Sequence, residues 1–407
     1  MSAAFPLLDF EDFHRRELPR RLAAGHGAIA AEADLASLGS LAFRLPSGHA
    51  FSYRPQPGGI EVVEGDADAR TVIEISPEDW SNVVHDLDSA PGLLYAGRVR
   101  CLRGNAMRFV GWEPGLRAMF HGRPIFHEDR ARLRDRRGAP IDPQERFALA
   151  SDDAEMAHFL RTAGYLLVKN VFSAEEVDAF RRHGERLRAM AREGDRLSWW
   201  ARNQKGESIL CRVTHAGRIP ELRSLYRDAR LLRMKSLSHH SLVARFGENL
   251  DEGISLLIKN PGITEGLSDL PWHRDCGMGG HASMCPVLIA SIYLWPSRPE
   301  SGELRMLPGS HESSCGFAEA GAANAPRGIS LRADPGDVSL HYGDIMHAAP
   351  PPTGSGPYRQ CLLLGWTRPD AFNHRGYQSY NDALLSRDDG QVEHLTRVAS
   401  RLDGEES

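Results

Sequence analysis

Pro271-Trp272-His273-Arg274-Asp275 interrupts a series of short apolar runs: Ile254–Lys259 before it, then Val287–Leu294, Glu303–Met306, Asp337–His341 and Gln360–Trp366. Turns rich in glycine and proline separate these runs, which is the texture of a β-sandwich or jelly roll. In an extended strand, side chains two apart point to the same side. His273 and Asp275 can therefore converge on one ion while Arg274 faces away. His347 comes from a separate strand end, after Gly336-Asp337 and Gly343-Asp344. Two histidines and one carboxylate form the facial triad that holds Fe(II), with three positions left open. Arg359 lies across a Pro/Gly turn from His347, at the start of an apolar strand that is otherwise uncharged. A permanently charged, forked donor entering a barrel needs a carboxylate partner. The distal carboxylate of a chelating 2-oxo acid meets that need better than an internal acid does.

The triplet carries no weight without this context. The chain has 18 histidines, and His127-Glu128-Asp129 repeats the spacing inside a charged stretch with no strand around it. That second triplet reads as solvated charge.

Working outward, residues 127–147 hold charge, two prolines, one glycine and no apolar periodicity, which predicts a linker. It separates a first domain, 1–126, from a second, 148–407, with a polar C-terminal tail. At 407 residues two domains are expected. In the second, Ser173-Ala-Glu-Glu176 is a capping box opening a helix whose inner face carries Val177, Phe180, Leu187 and Met190. In the first, a helix over 7–32 leads to strands at Leu41–Arg44, Gly59–Val63, Thr71–Ile75 and Arg98–Arg103. Ser76-Pro77-Glu78-Asp79 starts one helix, and another runs to Phe120, so this domain is α+β. From about Asp370 the chain turns polar, which suggests a surface helix and a loose tail. The net charge of −5 argues against a nucleic-acid binder. No run is long enough to span a bilayer, and six cysteines without a CxxC pair point to a reducing cytoplasm. Oligomeric state is not legible.

The second domain resembles the phytanoyl-CoA dioxygenase family of Fe(II)/2-oxoglutarate oxygenases. The matching segments are Ala163-Gly164-Tyr165-Leu166, Lys259-Asn260-Pro261-Gly262, Pro271–Asp275, Ser301-Gly302-Glu303-Leu304, Pro308-Gly309-Ser310-His311, and Gly336-Asp337 ahead of His347. The resemblance implies a double-stranded β-helix (jelly roll, cupin-like) with flanking helices. His273, Asp275 and His347 would hold iron, and Arg359 would hold 2-oxoglutarate. The family's serine two residues after the last histidine is Ala349 here, so Thr353 or Ser355 would have to fold back to replace it. Trp295 stands where the family has a small or polar residue. Asp275 is present, whereas halogenating relatives lack that carboxylate. Trp199, Trp200 and Arg202 fall in the family's lid region and, with His341 and Trp295, are candidate substrate contacts. Lys259 is a candidate for the cosubstrate carboxylate, with a solvent-facing edge position as the alternative.

The first domain, about 10–122, resembles the sterol carrier protein-like lipid-binding fold. That likeness rests on Val63-Glu64-Gly65-Asp66-Ala67-Asp68, Thr71–Ile75, Ser76–Trp80 and Ala96-Gly97-Arg98-Val99-Arg100. Together the resemblances imply an enzyme that uses Fe(II), 2-oxoglutarate and O2 to oxidise, and by preference hydroxylate, a C–H bond of a hydrophobic small molecule, such as a fatty acyl thioester, a terpenoid or sterol, or a natural-product intermediate. Two other readings stay open: a non-catalytic lipid carrier with the jelly roll as scaffold, and a zinc hydrolase, which leaves Arg359 unexplained.

Overall fold

The structure is a computed structural model that describes residues 5–245, 249–277, 287–319, 322, 325–369, 384–385 and 387–403. Near the N-terminus, helical turns over 10–31 cover a five-stranded sheet. Its strands are β1 (Leu41–Arg44), β2 (Ala50–Gln56), β3 (Gly59–Glu64), β4 (Thr71–Ile75) and β5 (Val99–Arg103), in the order β3-β2-β1-β4-β5. The opening helix includes two wider π-type stretches, Phe13–Glu17 and Leu22–His26, and Gly25 takes a positive φ of 107° within the second. β2 was not foreseen: its Arg54-Pro55-Gln56 end reads as turn, yet Pro55 still pairs with Ile60 at the end of a hairpin. The helix Pro77–Val84 begins as expected, with the Ser76 hydroxyl accepting from the Asp79 amide. The helix Ala90–Tyr95 was hidden by its own Pro91-Gly92.

The core of this region is aromatic. Phe10, Phe13, Phe43, Phe51, Tyr53, Trp80, Phe109, Trp112 and Phe120 are all buried. His14 stacks on Phe51 at 4.3 Å and hydrogen-bonds to the Tyr53 hydroxyl at 2.7 Å. Each such ring buries roughly 150–250 Å², so this cluster dominates the local stability.

The chain then passes along the second core. Residues 123–147 are pinned and do not form a free tether. Phe126 N donates to Ser314 O, and the Glu128 carboxylate accepts the amides of Arg327 and Gly328. The second triplet is thus partly a latch: the His127 ring meets Glu32, at 3.1 Å. A ten-stranded sheet follows, built from β6 (Phe147–Ala148), β7 (Tyr165–Lys169), β8 (Ser198–Asn203), β9 (Ser208–Val213), β10 (Val243–Ala244), β11 (Ile254–Ile258), β12 (Ile263–Glu265), β14 (Val287–Tyr293), β17 (Val338–Tyr342) and β19 (Gln360–Thr367). Opposite it stands a four-stranded sheet of β13 (Leu270–His273), β15 (Leu304–Met306), β16 (Ile329–Leu331) and β18 (His347–Ala349), in the order β13-β18-β15-β16. From β12 onward the chain alternates between the two sheets, with β15 and β16 adjacent in one, and eight strands pair as β11-β19-β14-β17 and β13-β18-β15-β16. That is a double-stranded β-helix.

Alternation divides the large sheet's two faces. Leu256, Ile258, Ala290, Ile292, Val338, Leu340, Leu362 and Leu364 belong to one apolar cluster, which also takes in Val177 and Leu187 of the helix Ala174–Met190. Met190, assigned to that inner face, is 49% exposed because it is the helix's last residue. The other face looks into the barrel. Residues 370–383, where the polar tail begins, lie outside the described residues. Beyond them the helix Leu395–Ser400 is not a surface helix. Leu395, Val398 and Ala399 are buried in the aromatic core of the N-terminal region, and the Asp403 carboxylate accepts the Ala106 amide at 2.7 Å. No helix of the described residues is long and apolar enough to cross a membrane.

Candidate metal centre

β13 and β18 run antiparallel with His273 directly opposite His347. The strand ends at His273, so Asp275 does not continue the alternation; it opens a short turn, Asp275–Gly277, which brings its carboxylate back to the imidazoles. One ligand atom from each of His273, Asp275 and His347 lies within 4.8 Å of the others. Both Nε2 atoms stand 3.6 Å from Asp275 Oδ1. His273 Nδ1 donates to Pro271 O at 2.8 Å and His347 Nδ1 to Ile345 O at 3.0 Å. Those bonds fix the tautomers and turn both Nε2 lone pairs toward the shared point.

The electrostatics suit a dication. Burial, with His273 beside it, lowers the His347 pKa to about 3, so its imidazole is neutral. Burial alone would raise Asp275, but the surrounding imidazoles of His347, His273 and His341 outweigh it and hold the carboxyl well below its usual range. His341 on β17, 3% exposed, donates from Nε2 to Asp275 Oδ2 at 3.3 Å. It braces the carboxylate from the oxygen that does not face the two imidazoles.

Cross-strand register carries the inner face onward from His341. His341 and Ser339 share a side of β17, and the Tyr293 hydroxyl bonds Ser339 Oγ at 3.1 Å. Tyr293 pairs with Cys361, Cys361 with Leu257, Leu257 with Arg212 and Arg212 with Trp199. Arg359, two residues before Cys361, has the same parity and is 2% exposed. Its Nε donates to Gly302 O at 2.7 Å and its Nη1 approaches Cys361 Sγ at 3.9 Å. Its Nη2 is buried without a hydrogen-bond partner among the described residues. A buried guanidinium left with an open donor is costly and is matched by an incoming carboxylate.

The other candidates separate. Lys259 is not at a solvent-facing edge: it is 1% exposed, pairs with Asp269, and donates to Ser268 O at 3.1 Å and Ala349 O at 2.9 Å. Burial lowers its pKa to about 8 although Asp269 pulls the other way. It closes the barrel beside Arg359, with its own donors taken. Thr353 does not fold back: it is exposed and its hydroxyl donates to Pro299 O at 3.2 Å, because the loop's own turn claims it. Ser355 is exposed as well. Trp295 leaves the barrel, since β14 ends at Tyr293 and the indole stacks under Arg181 at 4.0 Å. Trp199 faces inward, buried beside Leu267, with Arg212 over its ring at 4.8 Å. Strand alternation puts Trp200 on the opposite side, against the apolar outer core. Arg202 bonds Gly206 O in the exposed hairpin turn. His311 is structural, bonding Arg161 O and stacking on Tyr342.

Sequence reasoning missed the residues behind the triad. Arg274 faces away, as alternation requires, but it is 6% exposed and needs two acids: Glu113 at 2.5 Å and Asp344 at 3.1 Å. Asp344 was visible only as part of Gly343-Asp344. Glu113, a lone acid in an apolar helix, gave no signal.

Residues 160–361 match the model of the phytanoyl-CoA dioxygenase (PhyH) family. Ectoine dioxygenase of Stutzerimonas stutzeri (strain A1501) is 29% identical over 168 residues, 39% of this chain and 50% of that protein. The chain thus spans about half the length of the curated relative it matches. Among solved structures, the non-heme alpha ketoglutarate dependent carbocyclase SnoK from nogalamycin biosynthesis is 24% identical, covering 62% of this chain and 98% of that one at a TM-score of 0.46. AviO1 from Streptomyces viridochromogenes Tue57 is 23% identical, covering 54% and 97%, at 0.44. Residues 160–361, the span that matches the phytanoyl-CoA dioxygenase family, hold the triad and Arg359.

Proposed function

We propose that the chain is an Fe(II)/2-oxoglutarate-dependent dioxygenase that hydroxylates a C–H bond of a hydrophobic small molecule. The observation that carries this reading is Arg359, a buried guanidinium with an open donor on the inward face of the large sheet, which also carries His341, the residue bonded to Asp275. His273, Asp275 and His347 hold the metal: two neutral imidazoles and one carboxylate leave open positions for a chelating oxo acid and O2. Arg359 takes the distal carboxylate, and His341 keeps Asp275 oriented. Bound Fe(II), 2-oxoglutarate and O2 supply the C–H oxidant, with succinate and CO2 as coproducts; the protein orients the substrate and excludes competing reactions. Trp199 is the inward aromatic that meets the substrate.

The two sheets with separate cores support a two-domain division, with the N-terminal region as the first domain. Its resemblance to sterol carrier proteins is proposed as one of topology, because aromatic rings occupy the space between helix and sheet; the hydrophobic substrate belongs in the barrel. The six cysteines, with no CxxC pair among them, support a cytoplasmic location.

Anaerobic reconstitution with Fe(II), followed by 2-oxoglutarate and then oxygen, tests the proposal. Succinate formation that depends on oxygen and is lost in His273→Ala is the expected result. Bound lipid without succinate would overturn it in favour of a carrier, and turnover that persists in His273→Ala would remove the triad from the chemistry.

A further inference from the structure

The residue between two of the candidate metal ligands is held by the other half of the molecule. Arg274 Nη2 reaches Glu113 Oε1 at 2.5 Å, and Glu113 lies on the helix Ala106–His121 of the N-terminal region. Arg274 Nη1 reaches Asp344 Oδ1 at 3.1 Å, and Asp344 lies three residues before His347. Cys276 Sγ approaches the same Asp344 oxygen at 2.7 Å, so this carboxylate ties the Asp275 turn to the His347 strand. Arg123 stands 3.5 Å from Asp344 Oδ2, and Arg117 pairs with Asp86 at 2.7 Å just beyond. The helix Ala90–Tyr95 packs on the turn Asp275–Gly277. Pro91 and Glu113 line, with His273 and Arg274, a gap of about 20 Å³, which admits at most a single water. The N-terminal region therefore abuts the backs of the ligand residues.

We propose that Glu113 is a positioning residue for the metal centre: through Arg274 it fixes the backbone that presents His273 and Asp275, so the N-terminal region completes the site. The inference rests on the reading of the triad as a metal centre. A fixed Arg274 leaves its two neighbours one orientation, and Asp344 carries the same constraint to His347. A buried guanidinium requires compensation. With Asp344 alone, Arg274 loses one of its two acidic anchors, and the Asp275 turn is held less firmly against the imidazoles. Outer partners of this kind are worth roughly 10–100-fold in metal affinity.

Co(II) binding to the full chain tests this without turnover. Dissociation constants and the visible Co(II) spectrum are compared for the wild type and Glu113→Gln, alongside thermal unfolding of the metal-free proteins. We expect affinity to fall about tenfold or more, with an altered spectrum, in a variant that remains folded at the assay temperature. A folded Glu113→Gln with affinity within twofold of wild type overturns the proposal. Should that variant unfold, Glu113→Leu/Arg274→Met removes both charges and restores an apolar contact. Weak Co(II) binding by the folded double variant supports positioning; full recovery of affinity overturns it. Failure of the wild type to bind Co(II) would instead sink the metal reading itself.

Discussion

Replacing Arg359 with methionine separates a cosubstrate grip from a structural cation. The side chain is 2% exposed, spends Nε on Gly302 O and leaves Nη2 without a partner among the described residues. A two-point contact to a carboxylate involves hydrogen bonds to charged groups worth about 1.5–3 kcal/mol each. Losing it should cost about 3–4 kcal/mol of 2-oxoglutarate binding, or roughly 10²–10³-fold in Kd. Arg359→Lys keeps the charge without the fork and should fall in between. Stability moves differently. The variant loses one bond to Gly302, about 1 kcal/mol, but no longer buries a cation with an open donor, so the melting temperature of the metal-free protein should hold or rise. A guanidinium already paired with a buried acid would behave oppositely, leaving that acid stranded at a cost of about 3–5 kcal/mol. Anaerobic 2-oxoglutarate titration of the Fe(II) protein and thermal unfolding of the apoprotein read the two quantities. Wild-type 2-oxoglutarate affinity, or a stability loss of several kcal/mol, would refute the reasoning.

Three further outcomes are expected. Burial lowers the His14 pKa to about 4 against the pull of Phe10 O. Between pH 6.5 and about 4 the unfolded chain therefore binds a proton that the native state refuses. This contribution is complete above pH 6.5 and is lost with acid at up to about 1.4 kcal/mol per pH unit; urea unfolding at stepped pH should show a shallower slope for His14→Gln, and an unchanged slope would assign the dependence elsewhere. Lys259→Met strands Asp269 and two carbonyls and should cost about 2–3 kcal/mol by denaturant titration, most of it regained in Lys259→Met/Asp269→Leu; no loss in the single variant would mean the bracket is idle. Gly302 has φ 83° and an added Cβ would stand 2.8 Å from Lys259 Cε. Gly302→Ala should lose about 1–3 kcal/mol and raise the 2-oxoglutarate KM, since Gly302 O holds Arg359; an unchanged KM would separate that carbonyl from the grip.

Short apolar runs between glycine turns made the barrel legible, because a strand with one face to a core and one to a cavity must alternate. β13 was the partial exception: alternation pointed His273 and Asp275 the same way, but a turn after the strand does the work. Arg359 was readable because a lone charge in an apolar strand has few explanations. Lys259 was not, since a lysine near a strand end looks the same whether it meets solvent or a buried aspartate. Thr353 and Trp295 failed for a related reason: spacing says how far a side chain is along the chain, not which turn claims it. Neither Glu113 nor the docked helix Leu395–Ser400 could be found, as both act through contacts hundreds of positions apart or across the two cores.

The facing of His273 and His347 across β13 and β18 also dates the proposed metal site in the life of the chain. Its two histidines come from strands separated by β14 through β17, so no local segment can assemble it, and closing long loops precedes any reward from them. A metal ion added to refolding protein should be captured only after both sheets have closed in register. Capture is then a clock for the last step of barrel closure, and a one-residue slip between these strands would read out as silence.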